Sequence, residues 1–341
     1  MDRMAAEMAE QPRVLERLIA RADEIARLVG AVAPRPLAGT AIVARGSSDH
    51  ASTVGRYLLE LATGRPVSLV APSLHTLYEA KVDYTGQLVV AVSQSGRTPE
   101  IVTTLRRLQE AGAVGVAITN DLDSPLAAGA QVAIGLDAGE ELAVPATKTV
   151  TAQLAAFALL ARGLGDARFG DADLAALPDA VATVLSDAEP AARVAAALAD
   201  ETRLVVTARG LLYGAALETA LKLQETAGIA AAGIAAAGIS SADLRHGPIA
   251  IVGDSFPVIA VSVDGPAHRD IRELVAALRE RRAHVVTIST DDDADLRLPP
   301  LVEALACVGA VVRGQQLARE LALAVGRDPD APAGLHKVTE T

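Results

Sequence analysis

A chain of 341 residues is long enough for two cores of ordinary size, and with 51% hydrophobic but only 2% aromatic residues those cores must be built from Ala, Val, Leu and Ile. The 42 acidic residues outweigh the 31 basic ones, giving a net charge of -11 with no concentrated Lys/Arg stripe, which argues against any nucleic-acid partner and requires an anionic ligand to be held by local donors. The single Cys307, in the apolar run ALACVGAVV, rules out an internal disulfide and a cysteine metal pair and reads as a core residue in a reducing compartment; no apolar run reaches the ~18 residues of a membrane span, so a soluble, cytoplasmic protein with no membrane partner is expected.

In chain order, Met4, Met8, Val14, Leu15, Leu18, Ile19 and Leu28 recur at helical intervals and predict one amphipathic helix over residues 1–30. The Pro/Gly-punctuated AVAPRPLAGT follows, so 1–33 is taken as an N-terminal helix with its linker. From residue 34, short β-branched runs alternate with helical ones: TAIVARG, SDHASTVGRYLLELATG, PVSLVAP, GQLVVAVSQSG, TPEIVTTLRRLQEAG and AVGVAITND. That is the pattern of βαβ units on a parallel sheet, and a helical run from about Lys148 to Leu164 closes a first domain at 34–165.

A second domain, 190–325, repeats the first. Ala208, Arg209 and Gly210 lie 164 positions after Ala44, Arg45 and Gly46; FPVIAVSVDGP matches QLVVAVSQSGR at an offset of 169, and AHVVTISTDDD matches AVGVAITNDLD at 170. Such a repeat means two copies of one α/β domain, each a parallel sheet flanked by helices. Where the offset jumps, the unit AAAGI occurs twice in tandem, at 230–234 and 235–239, as if a small segment had been duplicated. The glycines at 228, 233 and 238 predict that the preceding helix ends near the first of them and that the extra residues are absorbed locally before Ser240. A tail, 326–341, has no helical or strand pattern but is stiffened by two prolines and a glycine.

Two polar turns sit where strands of the first domain exit toward helices. One holds Gly46, Ser47 and Ser48; the other holds Ser93, Gln94, Ser95 and Thr98, with Pro99 suited to the first helical position and Thr98 to the N-cap. Ser, Gly and Thr make turns without any ligand, yet a helix N-terminus flanked by hydroxyls also suits a phosphate. The second domain is an internal control: its turns read ARGLLYG and AVSVDGP, with most of the serines gone.

In ALETALKLQET, Glu218, Lys222 and Glu225 fall at i, i+4 and i+7 on one helical face, most simply a solvated ladder of charges. Further on, His246 precedes Gly247 and Pro248 on a turn, as a structural cap or a proton shuttle, and Lys337 stands in the tail.

Taken together, EQP (10–12), ARGSSDHA, SQSGRTPEI, VPATKT (144–149), ALETALKLQET, LRHGPIAIV and DPDAPAGLHKVTET resemble the sugar isomerase (SIS) family, in particular the isomerase half of glucosamine-6-phosphate synthase and the stand-alone glucosamine-6-phosphate deaminases. RGSSDHA with SQSGR, ARGLLYG and the closing GLHKVT look closer to the deaminases, and no N-terminal cysteine amidotransferase domain is expected. The resemblance implies two tandem flavodoxin-like SIS domains in a homodimer, with no cofactor and no metal. It implies Gly46, Ser47, Ser48, Ser93, Gln94, Ser95 and Thr98 as holders of the sugar phosphate, and Glu225 as the base that moves a proton between C1 and C2. Lys222 and Glu218 are then its helical neighbours, His246 the ring-opening group reaching across the dimer, and Lys337 the lysine of the C-terminal loop.

The sequence departs from the family pattern at Ala230, Ala231 and Ala232, where a His-Ala-Glu-Ala stretch is usual, at Gln224, where a lysine is usual, and at Ala146, where a serine is usual. The implied substrate is a small phosphorylated amino sugar, and the implied reaction converts glucosamine 6-phosphate into fructose 6-phosphate and ammonia. Alternatives are a deglycase of sugar-phosphate amino-acid adducts, a glutaminase-less isomerase like that of the synthase, and a non-catalytic sugar-phosphate sensor.

Overall fold

The structure, a computed structural model, describes residues 2–228, 238–332, 334 and 337. The tandem AAAGI therefore lies almost wholly outside the described residues, as do Ala230, Ala231 and Ala232. Two compact units are present: one from Arg13–Glu141 and Lys148–Gly170, the other from the N-terminal stretch up to Pro12, Leu142–Thr147 and Asp171–Lys337.

The N-terminal run forms two helices rather than one, α1 (Arg3–Ile19) and α2 (Ala22–Val32). The chain turns at Arg21, whose guanidinium binds Glu24 at 3.1 Å and the Gly135 carbonyl at 3.0 Å; Asp23 and Glu24 in the first turn of α2 favour a fresh start through its dipole. Apolar periodicity runs through the break, which is why the sequence hides it.

The first unit is built on a five-stranded sheet of β1 (Gly39–Val43), β2 (Val67–Leu69), β3 (Gln87–Ser93), β4 (Val114–Thr119) and β5 (Val132–Gly135), all parallel, in the order β2-β1-β3-β4-β5. Helices α3 (Ser47–Thr63), α4 (Pro72–Thr76), α5 (Pro99–Glu110), α6 (Pro125–Gly129) and α7 (Lys148–Leu164) make the connections and cover its faces. Every residue of β1 is buried, as a parallel strand covered on both faces requires. Helix α3 lies close on α7 because Gly55 has no side chain: a Cβ there would fall 2.4 Å from the Phe157 ring.

The second unit repeats this plan. Its strands β6 (Val205–Ala208), β7 (Gly238–Ser240), β8 (Pro257–Ser262), β9 (His284–Ser289) and β10 (Leu296–Arg297) are parallel in the order β10-β9-β8-β6-β7, the first order read from the other edge. Subtracting the offset of 170 carries β9 onto β4 residue for residue, and 169 carries β8 onto β3 within one residue. Its helices are α8 (Asp171–Ser186), α9 (Glu189–Leu198), α10 (Tyr213–Ala227), α11 (Ser241–Arg245), α12 (His268–Glu280) and α13 (Glu303–Ala324). In this order the first and third strands diverge to opposite sides, and the crevice beyond their carboxyl ends is where such sheets bind ligands. Cys307 is buried in α13, as its apolar setting predicts.

Candidate functional site

Both polar turns of the first unit emerge from the central pair β1 and β3, which run side by side with Val43 opposite Ala91. Gly46 begins α3 at φ 60°, ψ -138°, a backbone that other residues adopt only under strain, and so turns the chain from β1 into the helix. Ser48 is buried; its hydroxyl accepts a hydrogen bond from Gln153 Nε2 at 3.0 Å, and its carbonyl accepts from the Ser52 hydroxyl at 2.7 Å. Gln153, on α7, is a site neighbour that no local pattern announces.

The second turn is held by its own side chains. Ser93 Oγ accepts from the Gly96 amide at 3.2 Å and lies 3.3 Å from Thr98 Oγ1, while Ser95 Oγ accepts from the Arg97 amide at 3.2 Å. Gly96 sits at φ 64°, and a Cβ there would fall 2.0 Å from Ser124 Oγ. The Gln94 carbonyl accepts from the Asn120 amide at 3.1 Å, which ties the turn to the end of β4. Thr98 has extended backbone geometry and Pro99 opens α5, as expected, but the Thr98 hydroxyl faces Ser93 instead of capping the helix. An ion pair of 2.9 Å between Arg45 and Glu100 joins the two turns, and Arg97 is paired with Asp121 at 2.7 Å. With both arginines engaged by carboxylates, the turns offer an anion hydroxyls and backbone amides rather than bare cations.

In the second unit the face of Glu218, Lys222 and Glu225 is not a solvated ladder. Lys222 and Glu218 each have 1% side-chain exposure, whereas Glu225 keeps 20%. Lys222 Nζ lies 2.5 Å from Glu225 Oε2 and 3.3 Å from Glu218 Oε1. Burial pushes the Lys222 pKa down, but the two carboxylates outweigh it and the net direction is up, so this ammonium keeps its charge. The sequence reading failed here because an i, i+4, i+7 spacing fixes which residues share a face without saying what covers that face. Helix α10 then ends at Ala227, with Gly228 as a left-handed cap at φ 60°, where the glycines predict its end.

His246 is exposed and caps α11; its backbone amide donates to the Ala242 and Asp243 carbonyls, and its ring has no partner among the described residues. Around it the chain is anchored by Asp270, which takes Arg245 at 2.7 Å, Ser241 at 2.5 Å and Arg209 at 3.3 Å. Lys337 donates to the Ala143 carbonyl at 2.7 Å, in the short segment Leu142–Thr147 of the same unit. Sequence reasoning missed Glu7, a buried carboxylate of α1 that accepts from the amides of Leu142 and Ala143, the latter at 3.2 Å. It also missed Asp330, whose carboxylate caps α1 through the Arg3 and Met4 amides at 2.8 Å.

As to metals, Asp264, His268 and Asp291 bring three ligand-type atoms within 4.8 Å of one another, but His268 Nε2 is engaged by Asp291 at 3.1 Å. Among the described residues, no helix is long and apolar enough to cross a membrane.

The SIS domain family model matches residues 40–162 and 197–297. Over 359 residues the chain is 34% identical to the glutamine–fructose-6-phosphate aminotransferase (isomerizing) of Symbiobacterium thermophilum, an alignment that takes in 98% of this chain and 58% of that protein. The chain thus spans little more than half the length of the curated relatives it matches. Among solved structures it is similar to a protein of Silicibacter pomeroyi provisionally assigned as a phosphosugar isomerase, with 31% identity, a TM-score of 0.85 and coverage of 97% of this chain and 100% of that one. The glucosamine-6-phosphate deaminase of Thermotoga maritima gives a TM-score of 0.79 with both chains fully covered; at 18% identity that likeness is one of fold alone. The two matched segments fall on the two parallel sheets, and the chain belongs to the SIS domain family, carrying its domain twice.

Proposed function

We propose that the chain is a sugar-phosphate isomerase of SIS type acting on a phosphorylated amino sugar, glucosamine 6-phosphate foremost, and converting it with water into fructose 6-phosphate and ammonia. The observation that carries this reading is the Lys222 ammonium shut between two carboxylates, one of which, Glu225, keeps a water-facing edge. A buried charge set of this kind is a poor device for stability alone, and a carboxylate beside a fixed cation is suited to carbon-acid chemistry. In this reading His246 opens the sugar ring from across a homodimer and Ser47, Ser48, Ser93, Gln94, Ser95 and Thr98 hold the phosphate. Glu225 removes the C2 proton of the open-chain aldehyde and returns it to C1. The nitrogen is left as an imine at C2, and water releases it as ammonia and leaves the ketone. Lys222 supplies positive charge as electron density moves toward the sugar oxygen, and Lys337 contributes from the tail.

A second reading, isomerisation coupled to amine transfer, is favoured by the names of the curated relatives at 31–34% identity, which are isomerizing aminotransferases. Incubating the purified protein with a panel of amino-sugar 6-phosphates and measuring both ammonia and ketose phosphate separates the two. Ammonia released in step with fructose 6-phosphate supports the deaminase. Amino-sugar 6-phosphate formed when fructose 6-phosphate and ammonium are supplied instead, with no ammonia released from any amino sugar, selects amine transfer, and no turnover of either kind overturns both.

A further inference from the structure

Glu7 lies on α1, far in sequence from every residue given a role above, yet it is buried to 5% exposure and spends both carboxylate oxygens on backbone. Its Oε1 accepts from the Leu142 and Ala143 amides, and its Oε2 lies 3.3 Å from the Ala143 nitrogen. The next amide, that of Val144, donates to the Asp330 carbonyl at 3.0 Å, and the Thr147 carbonyl accepts from Gln315 Nε2 at 3.2 Å. Asp330 in turn caps the start of α1. The segment 142–147 is therefore pinned from one side by the N-terminal helix and from the other by the tail and α13, all within one unit. The Ala143 carbonyl, whose own amide is held by Glu7, is the group to which Lys337 donates at 2.7 Å.

We infer that Glu7 is a positioning residue for Lys337: by holding the Leu142 and Ala143 amides it aims the Ala143 carbonyl, which in turn fixes the ammonium at the end of the tail. A buried carboxylate accepting backbone amides is a rigid support, and a charge-assisted hydrogen bond to a carbonyl removes freedom from a long side chain that a terminal segment otherwise leaves mobile. The inference rests on the role proposed for Lys337, but its first test does not.

Two variants separate reach from charge. Glu7→Gln keeps an oxygen where Oε1 stands and loses the charge; Glu7→Asp keeps the charge and draws the oxygens back by one carbon. The rate at which Lys337 is acetylated by an N-hydroxysuccinimide ester of acetic acid, followed by peptide mass spectrometry on the folded full-length protein, reports how firmly its ammonium is held. Glu7→Asp is expected to raise that rate about tenfold, the factor that accompanies loss of one such hydrogen bond, and Glu7→Gln to leave it within about twofold. Unchanged acetylation in Glu7→Asp, or equal effects of the two variants, overturns the inference. This measurement needs no turnover, so it stands even if the protein proves inactive on amino-sugar phosphates. If the protein is active, Glu7→Asp should lower kcat about tenfold beside Lys337 but leave the residual rate of Lys337→Ala unchanged; the same loss in both backgrounds means a merely structural role and also overturns it.

Discussion

Lys222 Nζ stands 2.5 Å from Glu225 Oε2, and the lysine has no access to water while the glutamate does. The pair divides its labour by exposure: the cation is fixed in the protein, and the carboxylate alone reaches outward. Glu218, 3.3 Å away and as buried as the lysine, is the second carboxylate against the same ammonium.

Removing the cation should therefore unmask a buried carboxylate. Lys222→Met is expected to destabilise the fold by roughly 3–5 kcal/mol, because the buried Glu218 carboxylate loses its adjacent counter-charge. The double variant Lys222→Met with Glu218→Gln should recover most of that loss in urea unfolding while remaining inactive. Equal stability of the single and double variants would show that Glu218 is not held by Lys222.

The two serines of the β3 turn should differ in kind. Ser95→Ala removes a hydroxyl that supports only the Arg97 amide, whereas Ser93→Ala also frees the Gly96 amide and breaks the contact with Thr98. Both should weaken binding of fructose 6-phosphate, each by about 1.5–3 kcal/mol if its hydroxyl meets the phosphate, with Ser93→Ala the worse of the two. Calorimetric titration checks this; unchanged affinity in both would take the turn out of the site.

Acid should loosen the second unit through Asp270. Burial raises the pKa of this carboxyl, but hydrogen bonds from Ser241 and Arg245 outweigh it, with Arg245 and Arg209 adding their charge, and the net direction is down from the usual 3.8. A lowered carboxylate contributes stability above its unfolded value and loses it as pH falls through the folded one, so the loss begins below about pH 4. Lys222 has the opposite sign: being raised, its contribution is complete below its ordinary 10.5 and is lost only in strong alkali, leaving no slope near neutrality. Urea midpoints from pH 7 to pH 3 should fall less steeply for Asp270→Asn than for the wild type; parallel curves would remove Asp270 from the account.

The thiol of Cys307 should be inert. Burial pushes it up to about 12, and its Sγ donates to the Ala304 carbonyl at 3.5 Å. Ellman's reagent should titrate it only in denaturant; prompt reaction in buffer would mean that α13 opens readily.

How far the sequence could be read follows from the range of the interactions involved. The β3 and β4 runs, the glycine that ends α10 and the seventeen-residue helix α7 are local patterns and were legible. Strand β5, four residues in AGAQVAIGLDAGE, is too short to stand out, and it forms because β4 offers it an edge. The Thr98 hydroxyl was misplaced because an N-cap residue has a choice of partners and Ser93 supplied one. The burial of Lys222 and the partners of Lys337 were out of reach for a stronger reason. Ala143 is 194 positions from Lys337, and Glu7 is 136 from Ala143, so nothing in the local sequence of either couples them.

One substitution tests the proposed role of Glu225 as the base that carries a proton between two carbons. Glu225→Gln keeps the shape of the side chain and cannot accept that proton. Deuterium incorporation from solvent into C1 and C2 of the sugar phosphate, followed by NMR alongside calorimetric binding of fructose 6-phosphate, reads chemistry and occupancy separately. The variant is expected to bind the ketose phosphate nearly as well as the wild type and to incorporate no deuterium on the wild-type timescale. Incorporation at the wild-type rate would contradict that role and assign the proton transfer to another residue.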